Sequence, residues 1–470
     1  MKIVSKFREF ELLTRPIHPE TRVALDKRWA ELPEHVKTAN QMLGRCALGC
    51  EGTHGVFPKC NLTCSPCYHS ADANKVPIDG HHTVKCVTEQ MQYLRRIRGP
   101  RAHAQLIGGE VSLLSARDHA AALLVMRANG REPMSMTHGD FDYEYLLDVV
   151  LNENGIPRFN RVSFAAHFDS LMRGRRGAVR PSTEAELNPF REKFTAMFAD
   201  LKRDHGVDSY LAHNMTVTPA NLNQVGGVTR ALFEMPYYMM SFQPAAFVGD
   251  GRRWKEDFNE VTIDAVWSRI EEGAGQKLPW QAMQFGDPRC NRSTVMLRVD
   301  EQLAPLLDPN DPADLNVRDR FFEHFGGMIF GDTPKKILGV KVVRALLAHP
   351  GDIPSFIALV RRIAKRAGGI RLVIRASRMG KVAFKTLVVH NFMDAADVKP
   401  AWDLMEKGIT SANPKIRETQ ERLDGCMYAM SHPKTGRLVP ACVQHSVLDS
   451  TENIALLKIL PVRTLSSLRQ

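Results

Sequence analysis

The sequence predicts an α/β chain: a partial (β/α)6 barrel over residues 46–248, followed by a C-terminal α+β domain over 249–470, with 1–45 as an N-terminal segment. Two observations carry that expectation. From residue 52 to about 248, short apolar runs alternate with amphipathic helical stretches, the pattern of repeated β-α units around a parallel sheet or barrel. Beyond GDGRRWKEDF (249–258) the alternation fades, and 470 residues are more than one ordinary core needs.

Six runs read as strands: THGVFP (53–58), AHAQLIG (102–108), PMSMTHG (133–139), RVSFAAHF (161–168), YLAHNMTVT (210–218) and YYMMSFQPA (237–245). Between them, VKCVTEQMQYLRRI (84–97) and AELNPFREKFTAMFADLKRDHG (185–206) have helical apolar spacing, and the second stops at a glycine. Six strands with crossover helices make an incomplete version of the eight-stranded barrel. In such sheets the polar residues at the C-terminal strand ends face the active site. In the second half, 342–368 reads as mostly helical, while IRLVIRAS (370–377) and FKTLVVHNF (384–392) read as strands.

Bulk composition excludes more than it selects. With 44% hydrophobic and 24% charged residues the chain reads as soluble and globular. No apolar run is long enough to span a membrane, and MKIVSKFREFELLTRP has no secretory apolar core, so the expected location is cytoplasmic. Sixty-three Lys and Arg against 52 Asp and Glu leave a net charge of +11, compatible with an anionic partner and equally with a solvated basic surface. The densest basic stretch (361–381) has its apolar residues at packing intervals, and nucleic acid is not an expected partner.

Cysteine usage is more specific. Of nine cysteines, three fall in CNLTCSPC: Cys60, Cys64 and Cys67. In a reducing compartment clustered thiols point to metal rather than to disulfides. Spacings of four and three keep the trio on one short loop, which suits three corners of an iron–sulfur cube. A tetrahedral zinc site is the competing reading, although structural zinc favours paired cysteines with a distant second pair. Three local ligands leave one metal corner open, as chemistry requires.

Cys60-x3-Cys64-x2-Cys67 followed by Tyr68 resembles the cluster-binding signature of the radical S-adenosylmethionine (SAM) superfamily. About forty residues on, LIGGEVSLL is similar to that family's glycine-glycine-glutamate motif, and VSFAAHFDSLMRGRRG and HNMTVTPANLNQV resemble its fourth and fifth strands. The resemblance implies that Cys60, Cys64 and Cys67 hold three irons of a 4Fe–4S cluster, and that the fourth iron binds SAM. One electron then cleaves the sulfonium and yields a 5′-deoxyadenosyl radical that abstracts a substrate hydrogen. It implies that Gly108, Gly109 and Glu110 meet the methionine end of SAM. Asp169, Asn214 and, with less weight, His167 fall where the family contacts the ribose and carboxylate. An electron donor such as ferredoxin or flavodoxin is the implied partner.

The other six cysteines are Cys46 and Cys50 in the Gly-rich loop upstream, Cys86, Cys290, Cys426 and Cys442. Pro and Gly between Cys426 and Cys442 read as a hairpin that brings those thiols together. VVHNFMDAADVKPAWDLMEKG, HPKTGRLVPACVQH and FGDPRCNRSTVMLRV are similar in order to the tail of the tetraether lipid synthase type, which carries extra metal centres. The chain departs from that branch at Gly286 and Thr53, where further cysteines stand in it. An auxiliary iron–sulfur cluster is therefore expected from Cys290, Cys426, Cys442 and one of Cys46, Cys50 or Cys86. The expected substrate is a small molecule or lipid, foremost a long apolar chain, with peripheral membrane contact. The rival readings are a peptide or protein maturase, an RNA-modifying enzyme and a zinc-stabilised nucleic-acid-binding protein.

Overall fold

The computed structural model describes residues 10–254, 261–330 and 333–460. Residues 1–9, on which the reading of the chain's start partly rests, and 255–260, which include the end of the 249–258 stretch, lie outside them. Among the described residues no helix is long and apolar enough to cross a membrane.

One mixed α/β sheet of eleven strands organises the chain and curls into a half-barrel. In chain order its strands are β1 (Cys50–Gly52), β3 (Ala102–Leu106), β4 (Arg131–Thr137), β5 (Arg161–His167), β7 (Asp208–Val217), β8 (Met239–Pro244), β9 (Asn291–Val299), β10 (Gln302–Pro305), β11 (Val382–His390), β12 (Tyr428–His432) and β13 (Arg437–Pro440). A two-stranded ladder, β2 (Thr63–Cys64) with β6 (Met172–Arg173), stands apart from it. Eight strands run parallel in the order β12-β1-β3-β4-β5-β7-β8-β11. Six of these come from residues 50–244. The other two come from the second half of the chain, β11 against β8 and β12 against β1. Antiparallel β9, β10 and β13 extend the two edges.

Local chemistry explains the helices. Gly80–Arg98 starts at Asp79, whose carboxylate accepts the His82 N–H at 2.8 Å, and buries Val87, Met91 and Leu94. Asn188–His205 ends at Gly206, which takes the left-handed conformation (φ 69°). Two expectations fail in detail. Ile370–Arg378 is a helix, begun after Gly368 and Gly369 at positive φ. The first strand is Cys50–Gly52, while 57–59 lies outside the sheet and is held by Gly109 N to Phe57 O at 2.7 Å and Glu110 N to Lys59 O at 2.9 Å.

The main core fills the space between the sheet and its helices, with Phe164, Phe194 and Phe198 packed ring to ring. Within it a bidentate ion pair ties β1 to β4 across β3: Arg131 donates to both Glu51 oxygens at 2.9 and 3.2 Å, with both side chains fully buried. Removing one partner strands a buried charge. Arg131→Met is expected to lower stability by about 3–5 kcal/mol, and Arg131→Met with Glu51→Leu to recover most of it. Denaturant unfolding of the three chains checks this; equal losses in the single and double variants would contradict it.

Candidate functional site

At the C-terminal end of the parallel strands lies a cavity of about 240 Å³. The loop 60–70 forms one wall. Cys60, Cys64 and Cys67 are half-buried there and all line the cavity. Several ties hold the loop. Cys60 N–H donates to Asn74 Oδ1 at 3.1 Å, Cys64 pairs with Met172 in the short ladder, and Ser65 Oγ donates to the Arg253 carbonyl at 3.2 Å. Beyond it, Asp449 accepts from His69 Nδ1 at 2.6 Å and from Ser70 N–H at 2.7 Å.

Gly108 and Gly109 lie behind this loop. A Cβ on Gly108 would meet the Phe57 ring at 2.7 Å, and one on Gly109 the Lys59 carbonyl at 2.1 Å. The close approach that demands glycine here is to the segment leading into Cys60. The Tyr68 hydroxyl donates to the Gly108 carbonyl at 2.6 Å, so the loop is fastened to the glycine pair from both ends. Glu110 is buried and lines the cavity. Its Oε1 accepts from Ser112 N–H, Ser112 Oγ and Thr137 Oγ1, and its Oε2 accepts the His138 N–H at 2.7 Å. The carboxylate is therefore a fixed charge locked between β3 and β4.

Asp169, His167 and Asn214 follow the same strand ends. His167 and Asn214 line the cavity, and Asp169 stands behind His167, paired with its Nε2 and accepting the N–H groups of Leu171 and Thr216. Burial pushes the Asp169 carboxyl up, but the His167 ring and those two N–H groups outweigh it and hold the pKa below the usual value.

The scattered cysteines separate into two groups. Cys50, Cys290, Cys426 and Cys442 line the same cavity; Cys46 and Cys86 do not. Cys426 and Cys442 flank the β12–β13 hairpin, Cys50 opens β1 beside β12, and Cys290 immediately precedes β9. Arg422 Nε points at Cys290 Sγ, 3.2 Å away, and its Nη2 donates to the Asn391 carbonyl at 3.0 Å. Sequence reasoning missed Arg422, Arg253 and His445, all cavity-lining, because no motif marks them.

Two features bear on what the cavity holds. Buried polar atoms of His69, Ser241, Arg253, His445 and Ser446, all from its lining, have no hydrogen-bond partner among the described residues. Buried polar atoms are normally satisfied, so these five leave hydrogen-bonding capacity in the wall behind the cavity surface. Second, among the described residues only one trio of Cys, His, Asp or Glu has its ligand atoms within 4.8 Å of one another, and it contains no cysteine. Thiols more widely placed fit the corners of a cluster better than the tight shell of one zinc ion, whose Zn–S bonds are about 2.3 Å. The donor set thus fits an iron–sulfur cluster.

Burial pushes every cavity thiol up: Cys50 and Cys60 to about 12, Cys290 to about 11, and Cys64, Cys67, Cys426 and Cys442 upward as well. An unfolded thiol ionises near pH 8.5 or so. The metal-free folded chain therefore keeps protons that the unfolded chain has released, and this contribution is intact below about pH 8.5 and lost as pH rises toward 12. Denaturation midpoints of the metal-free chain are expected to fall between pH 8 and pH 10. Metal loading, which requires thiolates, is expected to release protons and to strengthen over the same range. Midpoints that rise with pH would contradict the assignment.

No family model and no curated protein matches the chain. Among solved structures it is similar to SuiB of Streptococcus suis, at 13% identity and TM-score 0.33 over 50% of this chain and 47% of that one. It is similar also to anSMEcpe with bound AdoMet and a Cp18Cys peptide, at 12% identity and TM-score 0.30 over 47% and 57%. The chain spans about half the length of these structures.

Proposed function

We propose that this chain is a radical SAM enzyme. The observation that carries the reading is a single loop whose three cysteines line, together with Glu110, one cavity at the C-terminal end of the parallel strands. Cys60, Cys64 and Cys67 would hold three irons of a 4Fe–4S cluster. When bound, the cluster and SAM supply a 5′-deoxyadenosyl radical by one-electron cleavage of the sulfonium. Glu110 offers the methionine ammonium a fixed negative charge. Asn214 and His167, with Asp169 behind the imidazole, offer hydrogen bonds to the ribose and carboxylate. A small one-electron donor such as ferredoxin or flavodoxin completes the reaction.

A second cluster on Cys50, Cys290, Cys426 and Cys442 is part of the reading. It is supported by the shared cavity and by Arg422 at Cys290, since donors to the sulfurs are among the groups that tune such clusters. For the substrate we infer a long apolar chain. Met134, Met136, Ala165 and Met239 give the inner sheet a flexible apolar wall, and methionine adapts to chains without fixed shape.

Anaerobic reconstitution tests each layer. The chain is expected to be brown and to carry about eight irons; Cys442→Ala should keep about four and still make 5′-deoxyadenosine, while Cys64→Ala should make none. A colourless chain, or Cys64→Ala with undiminished product, would reject the class. Turnover with peptides in place of apolar-chain substrates would replace the substrate assignment by a maturase.

A further inference from the structure

Outside the cysteine cavity, three side chains from distant parts of the sequence converge. His54 follows β1, His432 ends β12 and Glu452 lies on the helix Asp449–Ile459. Because β1 and β12 are neighbouring parallel strands, the two imidazoles meet at the C-terminal ends of those strands. Their rings stack with centroids 3.9 Å apart and planes inclined by 21°. Glu452 Oε1 faces both: it is 3.1 Å from His54 Nδ1 and 3.4 Å from His432 Nδ1. One ligand atom from each residue lies within 4.8 Å of the other two.

Hydrogen counting shows why this is not simply a hydrogen-bonded triad. His54 Nε2 meets the Ser431 carbonyl, which only accepts, so Nε2 carries a hydrogen. Gln444 Nε2 donates to Glu452 Oε2 at 2.6 Å, which fixes the amide and turns Gln444 Oε1 to His432 Nε2 at 2.7 Å. That nitrogen carries a hydrogen too. Two neutral rings so arranged aim bare Nδ1 lone pairs at carboxylate oxygens, which also only accept. Protonating one ring repairs one contact; protonating both stacks two cations face to face.

A bound cation removes the conflict. The Nδ1 lone pairs and the carboxylate then all face the ion, and each Nε2–H is donated to an oxygen, the usual outer shell of a metal-bound histidine. The two nitrogen–oxygen separations, 3.1 and 3.4 Å, agree with the about 3.3 Å between ligands of a tetrahedral zinc with bonds of about 2.0–2.1 Å. The two stacked rings turn apart on binding so that both lone pairs meet the ion. We propose that His54, His432 and Glu452 bind one divalent transition ion, Zn2+ by its donor set, with a fourth position open to water. The ion would pin the helix Asp449–Ile459 to the C-terminal ends of β1 and β12. Asp449 on that helix braces His69 and Ser70 behind the cysteine loop. This site does not depend on the radical SAM reading.

Cobalt titration of the iron-free chain tests it, because Co2+ held by nitrogen and oxygen shows visible d–d bands without the thiolate-to-metal charge-transfer bands that cysteine ligation adds. One equivalent of thiolate-free Co2+, displaced by Zn2+, is the expected result. Glu452→Gln, which keeps shape and polarity, should lose it, and Gln444→Ala should weaken it about 10–100-fold while leaving both imidazoles in place. If the wild-type chain shows only thiolate-bound cobalt, or both variants bind as it does, the proposal falls.

Discussion

The parallel pairing of β12 with β1 is the contact on which the rest of the site depends. It brings Cys50 opposite Tyr428, with Glu51 and Gly52 opposite Ala429 and Met430, from residues almost four hundred positions apart. The pairing is specific because of size as much as hydrogen bonding. Tyr428 reaches across β1 to donate to Gln105 Oε1 at 2.8 Å, and a Cβ on Gly52 would lie 2.4 Å from its hydroxyl. Any larger residue at 52 would have to displace the tyrosine ring from this position. Cys426 and Cys442 then come to the same cavity as Cys50 by necessity.

This constraint also marks where the sequence could be read and where it could not. The cysteine loop, the glycine pair and Glu110 were legible because their chemistry is local: four or fewer intervening residues define each motif. The helix over 188–205 was legible from its period and its terminal glycine. β1 was not. Cys-Glu-Gly has little β-forming character, and its buried carboxylate makes sense only beside Arg131, eighty residues away. The apolar run that follows attracted the assignment instead, and it is tied by hydrogen bonds to Gly109 and Glu110. IRLVIRAS misled for a related reason. Its β-branched residues suit a strand, yet the two glycines before it end one helix and allow another to begin.

Choosing among Cys46, Cys50 and Cys86 was beyond any local pattern. Cys46 and Cys50 share one Gly-rich loop four residues apart, and only the direction of β1 sends Cys50 to the cavity and leaves Cys46 outside. The same holds for His54, His432 and Glu452, whose meaning lies wholly in the fold.

The two groups of thiols in the cavity each have a guanidinium. Arg253 lines the wall with Cys64 and Cys67, and its Nε is buried without a partner among the described residues. Arg422 faces Cys290, and although burial works against its charge, the Cys290 and Cys442 sulfurs favour it enough to raise its pKa. A buried cation is costly unless opposite charge answers it. Protonated thiols cannot offset that cost, whereas thiolates bound to metal can. The two arginines therefore favour a state in which both sulfur groups carry negative charge, and a shared cavity lets each group feel the other's. That electrostatic arrangement, more than the spacing of the cysteines alone, is what supports the proposal of metal at both sulfur groups.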